Sequence, residues 1–379
     1  MENGVGSGFQ VGSRPRCRDF GLSIGALSPG PFNAITDVPG VLVGHSTIVE
    51  GEGALVPGRG PVRTGVTAIR PHPGNIFQQK VPGAIHVING FGKATGIAQV
   101  QELGTIETPI ILTNTLSVGQ AWDALCEYML EHNPDIGVAT GTVNPLVLEC
   151  NDGYLNDIRG RHVNKEHIFS ALTEAAPGPV AEGNVGGGTG MSCLGFKGGI
   201  GTSSRCIEFG HERWFLGVLV MANFGRMEEL LISGIPVGLE LGRCLEGQPD
   251  APPGSIVVVL GTDAPVSDRQ LSRIARRCQG GLARVGSTFR NGSGDFVVAF
   301  TTANRVSHKD SSPFAAEKRL RDDSRQMGHV FTASVEATEE AILNSLFAAE
   351  TMEGRDGNTR TGLPVGRVID ILRSRQALK

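Results

Sequence analysis

Glu246-Gly-Gln-Pro-Asp-Ala-Pro-Pro-Gly254-Ser255-Ile-Val-Val-Val-Leu260 joins two unlike halves. Glu246–Gly254 is polar and rich in Pro and Gly, the composition of a surface loop. At Ser255 it gives way abruptly to a near-continuous apolar run. Strands covered on both faces look like this. Gly217–Phe224 (GVLVMANF) and Asp295–Thr302 (DFVVAFTT) read the same way.

Short apolar segments at Gly40–Gly44, Gly65–Ile69, Ala84–Asn89 and Pro109–Leu112, separated by Gly and Pro, read as further strands. Helices lie between them. Ser117-Val-Gly-Gln120 fits a capping box, and Trp122, Leu125, Cys126 and Met129 follow at i, i+3, i+4, i+7. Ser267 and Gln270 repeat the box ahead of an apolar stripe of Leu271, Ile274, Ala275 and Cys278, with a stop expected at Gly280-Gly281. A third helix is expected from Thr338 to Ala349, with Ile342, Leu346 and Ala349 on one face. Strands and helices without strict β-α alternation make an α+β layered sandwich. No internal repeat or clean linker divides the chain. We expect a disordered tail over residues 1–18, Gly/Ser-rich and then basic, and a single domain over 19–379.

The chain has 379 residues, 40% of them hydrophobic, and a formal net charge of −4. No basic field points to nucleic acid. Arg269, Arg273, Arg276 and Arg277 recur at helical spacing and read as a solvated helix face. The 54 glycines imply many tight turns and close backbone approaches. Seven cysteines, an odd number without any C-x-x-C pair, read as free thiols in a reducing compartment. The nine histidines form no metal-ligand spacing, and His45 and His86 read as structural. No run is long enough for a membrane span and no signal peptide is recognisable, so a cytoplasmic protein is expected.

If the bond before Ser255 breaks, the serine becomes an amino terminus with its α-amine beside its own hydroxyl. A free α-amine has a pKa of about 7.7–8, which suits a general base at neutral pH. The design needs a small residue on the leaving side, an exposed loop before the nucleophile and a rigid strand after it. Gly254, Glu246–Gly254 and Ser255–Leu260 supply all three. Taken locally, Gly-Ser before a strand is also an ordinary loop end. Asn291-Gly-Ser293-Gly-Asp295 is also a hairpin signal. Gly183–Gly190 lacks the Lys-Ser/Thr ending of a phosphate cradle and reads as a glycine-rich turn near the active site. No G-x-S-x-G elbow occurs in the chain.

Several separated segments carry a resemblance. They are Asn33-Ala-Ile-Thr-Asp37-Val-Pro-Gly40 with Val43-Gly44-His45, Thr64–Ile69, Ile88-Asn89-Gly90, Thr113-Asn-Thr115 with Ser117-Val-Gly119, Asn151–Asp157, Gly183–Gly190 and Ala222-Asn223-Phe-Gly225. From about Arg18 to Arg367 the chain resembles the self-cleaving peptidases that include L-aminopeptidase/D-amino-acid esterase-amidase and the β-peptidyl aminopeptidases. The resemblance implies Ser255 as nucleophile, Ser293 and Asp295 as its assistants, Asn223 as oxyanion donor and Tyr154 as a tyrosine near the nucleophile. Tyr154 reads equally as a packed loop residue. The family often carries Glu where this chain has Asp295, which is one methylene shorter.

The resemblance further implies an αββα four-layer sandwich like that of N-terminal-nucleophile hydrolases, with different connectivity. Self-cleavage between Gly254 and Ser255 would leave pieces 19–254 and 255–379. Processed heterodimers would form a homotetramer, with no cofactor or metal. Substrates would be short peptides, amino-acid amides or esters, cut after the amino-terminal residue. Alternatives are an acyltransferase of the ornithine acetyltransferase type and a nylon-oligomer hydrolase, both usually with Thr as nucleophile, and a non-catalytic nucleotide-binding protein.

Overall fold

The three apolar runs form the middle of the larger of two stacked sheets. The computed structural model describes residues 15–242, 254–309 and 312–378. The main strands in chain order are β1 (Leu42–Glu50), β2 (Val62–Arg70), β3 (Gln79–Gly90), β4 (Ile110–Asn114), β5 (Leu146–Cys150), β6 (Gly199–Phe209), β7 (Glu212–Asn223), β8 (Ser255–Thr262) and β9 (Gly294–Thr301). The smaller sheet has the order β1-β2-β4-β5. The larger has β3-β9-β8-β7-β6, with two-residue strands added beside β3.

Helices α1 (Val118–His132) and α2 (Lys165–Thr173) cover the smaller sheet. Helices α3 (Asp268–Ala275), α4 (Cys278–Arg284) and α5 (Arg325–Ala348) cover the larger. The result is the expected αββα order of layers.

Period-2 alternation sorts the side chains of the central strands. Val218, Val220, Ile256, Val258, Val297 and Ala299 face the α3–α5 layer, in one core with Ile274, Leu343 and Leu346. Leu219, Met221, Val257, Val259, Val298 and Phe300 face the smaller sheet, in a second core with Val66, Ile111 and Leu148. All six residues of each strand set are fully buried, and each Val, Ile, Leu, Met or Phe among them is worth about 1.5–3 kcal/mol. That explains apolar runs without polar interruption.

Several local expectations are corrected. Ser267 and Gln270 do form a capping box on α3, but Ser117 makes no cap bond. Asn114 supplies that turn instead, its side chain accepting from the Ser117 N–H. The helix expected to stop at Gly280-Gly281 breaks earlier, at Arg276-Arg277, and both glycines lie inside α4. Gly281 is where α4 crosses α5: a Cβ there would stand 2.6 Å from the Thr338 Cβ and from the Val335 carbonyl oxygen. Helix α5 begins at Arg325, a dozen residues before the expected Thr338. Gly292 does make a turn, with φ +85. No hairpin follows, because β9 pairs in parallel with β8 across the α3–α4 crossover.

Most of the tail expected over 1–18 falls outside the described residues. Its end is packed. Cys17 is buried, Arg16 pairs with Glu182 at 2.8 Å and Arg18 with Glu340 at 2.6 Å. Glu340 also receives the buried Arg205 at 2.8 Å and Asn33 at 2.6 Å. A charge this deeply buried is tolerated because it is paired and hydrogen-bonded. Of the clustered arginines, Arg273 pairs with Asp322 at 2.8 Å and Arg277 lies over the Phe331 ring. The cluster is a helix face held by local partners.

The six described cysteines are free, four of them buried. Among the described residues no helix is long and apolar enough to cross a membrane, and no group of three or more His, Cys, Asp or Glu could hold a metal ion.

Candidate active site

Strand register gathers the predicted residues at one end of the larger sheet. Asn223 ends β7 opposite Ser255, the first residue of β8. Ile256 on β8 lies opposite Asp295 on β9. Asp295 in turn lies opposite Asn89 on β3, at a register shift. Residues distant in sequence thus meet across four strands.

At the centre stands the Gly254–Ser255 peptide bond. The Ser293 Oγ is 2.5 Å from the Gly254 carbonyl oxygen and 2.5 Å from Asp295 Oδ1. Asp295 therefore reaches Ser293 despite its shorter side chain. Its Oδ1 also accepts from the Ile256 N–H at 3.2 Å, and its Oδ2 from the Asn89 amide at 2.8 Å. Burial pushes the Asp295 carboxyl above the usual range, and its hydrogen bonds to Ser293, Asn89 and Ile256 pull the other way. The Gly294 N–H donates to Ser255 Oγ at 3.1 Å. Ser255, Ser293 and Asp295 are all buried.

Gly254 is required by space. A Cβ on it would fall 1.7 Å from the Asn223 carbonyl oxygen and 3.2 Å from the Phe224 Cα.

The Asn223 side chain is oriented from both ends. Its Oδ1 accepts from the Ser192 N–H at 2.8 Å, and its Nδ2 donates to the Asn151 carbonyl at 3.0 Å. An amide nitrogen carries two hydrogens, so one remains beyond the Asn151 bond. Beside this cluster opens a cleft of about 280 Å³, lined by Gly254, Ser293 and Asp295 and walled by Arg226, Glu229 and Arg290.

Tyr154 does not line this cleft. Its ring packs under the Arg360 guanidinium at 3.9 Å, and Arg360 Nε reaches Ser192 Oγ at 3.2 Å. Its link to Asn223 therefore runs through Arg360 and Ser192. Gly186–Gly188 packs between the sheets, where Cβ atoms on Gly187 and Gly188 would meet Met221 and Ile200 at 2.8 and 2.4 Å. His45 is half-buried, its ring 2.9 Å from the Thr67 hydroxyl, and desolvation of the ring holds it down at about 4, as befits a neutral structural histidine.

Residues 33–360 match the profile of Peptidase family S58. The chain belongs to peptidase family S58. Its S58 relatives match along almost the full length. It is 42% identical to β-peptidyl aminopeptidase BapA of Sphingosinicella microcystinivorans, over 96% of this chain and 93% of that protein. The crystal structure of a protein from Pyrococcus horikoshii OT3 superposes with a TM-score of 0.91 and 52% identity, covering 96% of this chain and 99% of that one. The L-aminopeptidase D-Ala-esterase/amidase of Ochrobactrum anthropi, a prototype of the serine aminopeptidases and a variant of the N-terminal-nucleophile hydrolase fold, superposes with a TM-score of 0.89 and 39% identity, covering 97% and 100%. The chain is accordingly a serine hydrolase of the N-terminal-nucleophile class.

Sequence reasoning missed two contributors to the cluster. Asn89 lies in the Ile88-Asn89-Gly90 segment without any local sign of a role, and the Gly294 N–H carries no side-chain signal at all. Only strand register reveals either.

Proposed function

We propose that the chain cuts itself between Gly254 and Ser255, and that the freed Ser255 then releases the amino-terminal residue of short peptides, amino-acid amides or esters. The observation carrying this is the placement of Ser293 Oγ between the Gly254 carbonyl oxygen and Asp295.

In the precursor, Ser255 Oγ attacks the Gly254 carbonyl carbon while Ser293 donates to the carbonyl oxygen. The C–N bond breaks, the nitrogen takes up the proton lost by Oγ, and an ester joins Gly254 to Ser255. Water hydrolyses it to the Gly254 carboxylate and the free Ser255 hydroxyl. In the processed enzyme the Ser255 amine is the general base, Ser293 and Asp295 hold that amine, and Asn223 donates to the substrate oxyanion. The substrate's amine or alcohol leaves, and water releases the acid from Ser255.

The cut pieces are interleaved. Strands β8 and β9 from the later piece lie between β7 and β3 from the earlier one, and Glu340 on α5 holds Arg18 and Arg205. This supports a stable processed heterodimer, for which we retain the homotetramer as the proposed assembly.

The space around Gly254 favours one substrate class. A substrate whose carbonyl takes the place of the Gly254 carbonyl puts its next carbon where the Gly254 Cα stands. A side chain there in the L configuration would run into the Asn223 carbonyl. Glycine and β-residues, whose carbon at that position is a CH₂, avoid the collision. The β-peptidyl activity named for the Sphingosinicella relative agrees with this preference, and the L-aminopeptidase activity named for the Ochrobactrum relative runs against it.

Ser255→Ala is the test. It is expected to leave the chain whole and inactive on aminoacyl p-nitroanilides, and maturation of that variant would overturn the mechanism. Comparing β-aminoacyl with bulky L-aminoacyl p-nitroanilides tests the preference alone. Transfer products formed on adding acceptor amines would favour the acyltransferase reading.

A further inference from the structure

We propose that Asn89 is a positioning residue for self-cleavage, whose amide decides which oxygen of Asp295 carries the proton relayed through Ser293 to the Gly254 carbonyl. This rests on the reading of Gly254–Ser255 as the bond that breaks.

The case begins with a count of hydrogens. Ser293 Oγ stands 2.5 Å from two oxygens, Gly254 O and Asp295 Oδ1, and a serine hydroxyl has a single hydrogen. Both contacts are hydrogen bonds only when Asp295 is protonated and donates to Ser293, which in turn donates to Gly254. The relay requires that proton on Oδ1. Asn89 Nδ2 is a pure donor, 2.8 Å from Oδ2, so a proton on Oδ2 would meet another donor. Asn89 thus makes Oδ2 the acceptor oxygen and leaves the proton to Oδ1. The Ile256 N–H also donates to Oδ1, at 3.2 Å, and so opposes a proton there, but its bond is the longer of the two and the Asn89 bond at 2.8 Å outweighs it.

Other charged and titratable groups surround Asp295. Arg226, Glu229 and Arg290 stand on the cleft wall, and Glu229 is held by Arg290 at 2.8 Å. Cys150 at the end of β5 is a buried thiol held neutral, its pKa pushed up chiefly by burial and then by Glu149. None of these is hydrogen-bonded to Oδ2, whose partner is Asn89. During the acyl shift the Asp295 proton moves toward the carbonyl oxygen as Ser255 Oγ bonds to carbon. It returns as the carbonyl re-forms and the C–N bond breaks, so Asp295 is unchanged overall.

The test times self-cleavage of freshly folded full-length chain by intact mass, across mildly acidic to mildly alkaline pH, for the unaltered protein, Asn89→Leu and the isosteric Asn89→Asp. Asn89→Leu is expected to be slowed about 10-fold, the loss of one buried hydrogen bond. Asn89→Asp is expected to cut at nearly the unaltered rate in acid, where the introduced carboxyl is protonated and still donates to Oδ2. Its rate should collapse as that carboxyl ionises. A thermal melt at each pH distinguishes this from a structural role, in which the melting temperature would fall together with the rate.

Asn89→Asp with the pH profile of the unaltered chain, or Asn89→Leu at the unaltered rate, would overturn the proposal. Failure of the unaltered chain to yield a fragment beginning at Ser255 would instead overturn the cleavage reading beneath it.

Discussion

Replacing Gly254 with Ala is expected to slow self-cleavage about 100-fold while the chain still folds. The added methyl would lie 1.7 Å from the Asn223 carbonyl oxygen. Restoring van der Waals contact requires a shift of roughly 1.5 Å. The atoms able to move are those of the first rung between β7 and β8, where Asn223 faces Ser255. Moving that rung pulls the Gly254 carbonyl away from Ser293 Oγ, now 2.5 Å distant. Misplacement of reacting groups by about 1 Å costs on the order of 10²-fold in rate. Overpacking of this kind removes about 1–3 kcal/mol of stability, which a domain of this size survives. The assay follows fragment appearance by intact mass after folding, with Ser255→Ala as the uncut reference and a thermal melt confirming the fold. Gly254→Ala chain cutting at the unaltered rate would show that the close contact with Asn223 has no part in the chemistry.

Other perturbations test the remaining parts. Asn223→Ala should lower kcat/KM of processed enzyme by about 10²–10³; a change of less than a few-fold would remove Asn223 from the oxyanion site. Asp295→Asn keeps the shape but carries no transferable proton, so its precursor should accumulate. Prompt processing of that variant would exclude the relay. Asp152, fully buried, is pushed up to about 7 chiefly by burial. The unfolded chain releases this proton near pH 4 while the folded chain keeps it, so stability should fall as pH rises from about 4 to about 7. Asp152→Asn should lose this part of the slope in denaturant unfolding, and an unchanged slope would contradict the assignment.

What could be read in advance divides by range. Strands β7, β8 and β9 announced themselves because burial on both faces leaves no room for polar residues, and the Ser267–Gln270 cap is a contact three residues apart. The errors arose where a distant partner decided the outcome. Gly280-Gly281 looks like a helix stop, yet Gly281 is in α4 because α5 crosses there. The exception is Asn114, which takes the capping role expected of Ser117 from only three residues upstream. Asn291–Asp295 turns as expected but enters a parallel strand. At the site, Ser255, Ser293, Asp295 and Asn223 are brought together as expected. Tyr154 packs under Arg360, which reaches Ser192 beside Asn223. The part played by Asn89 depends on its standing opposite Asp295 across a sheet, some two hundred residues away in the chain, and no local pattern encodes that register.

The central claim is that the bond between Gly254 and Ser255 breaks to release the nucleophile. Intact mass and amino-terminal sequencing of freshly purified protein test it most directly. Two fragments are expected, the smaller beginning Ser-Ile-Val-Val-Val. A chain that stays whole while hydrolysing aminoacyl p-nitroanilides, or one cut at a different bond, would contradict it.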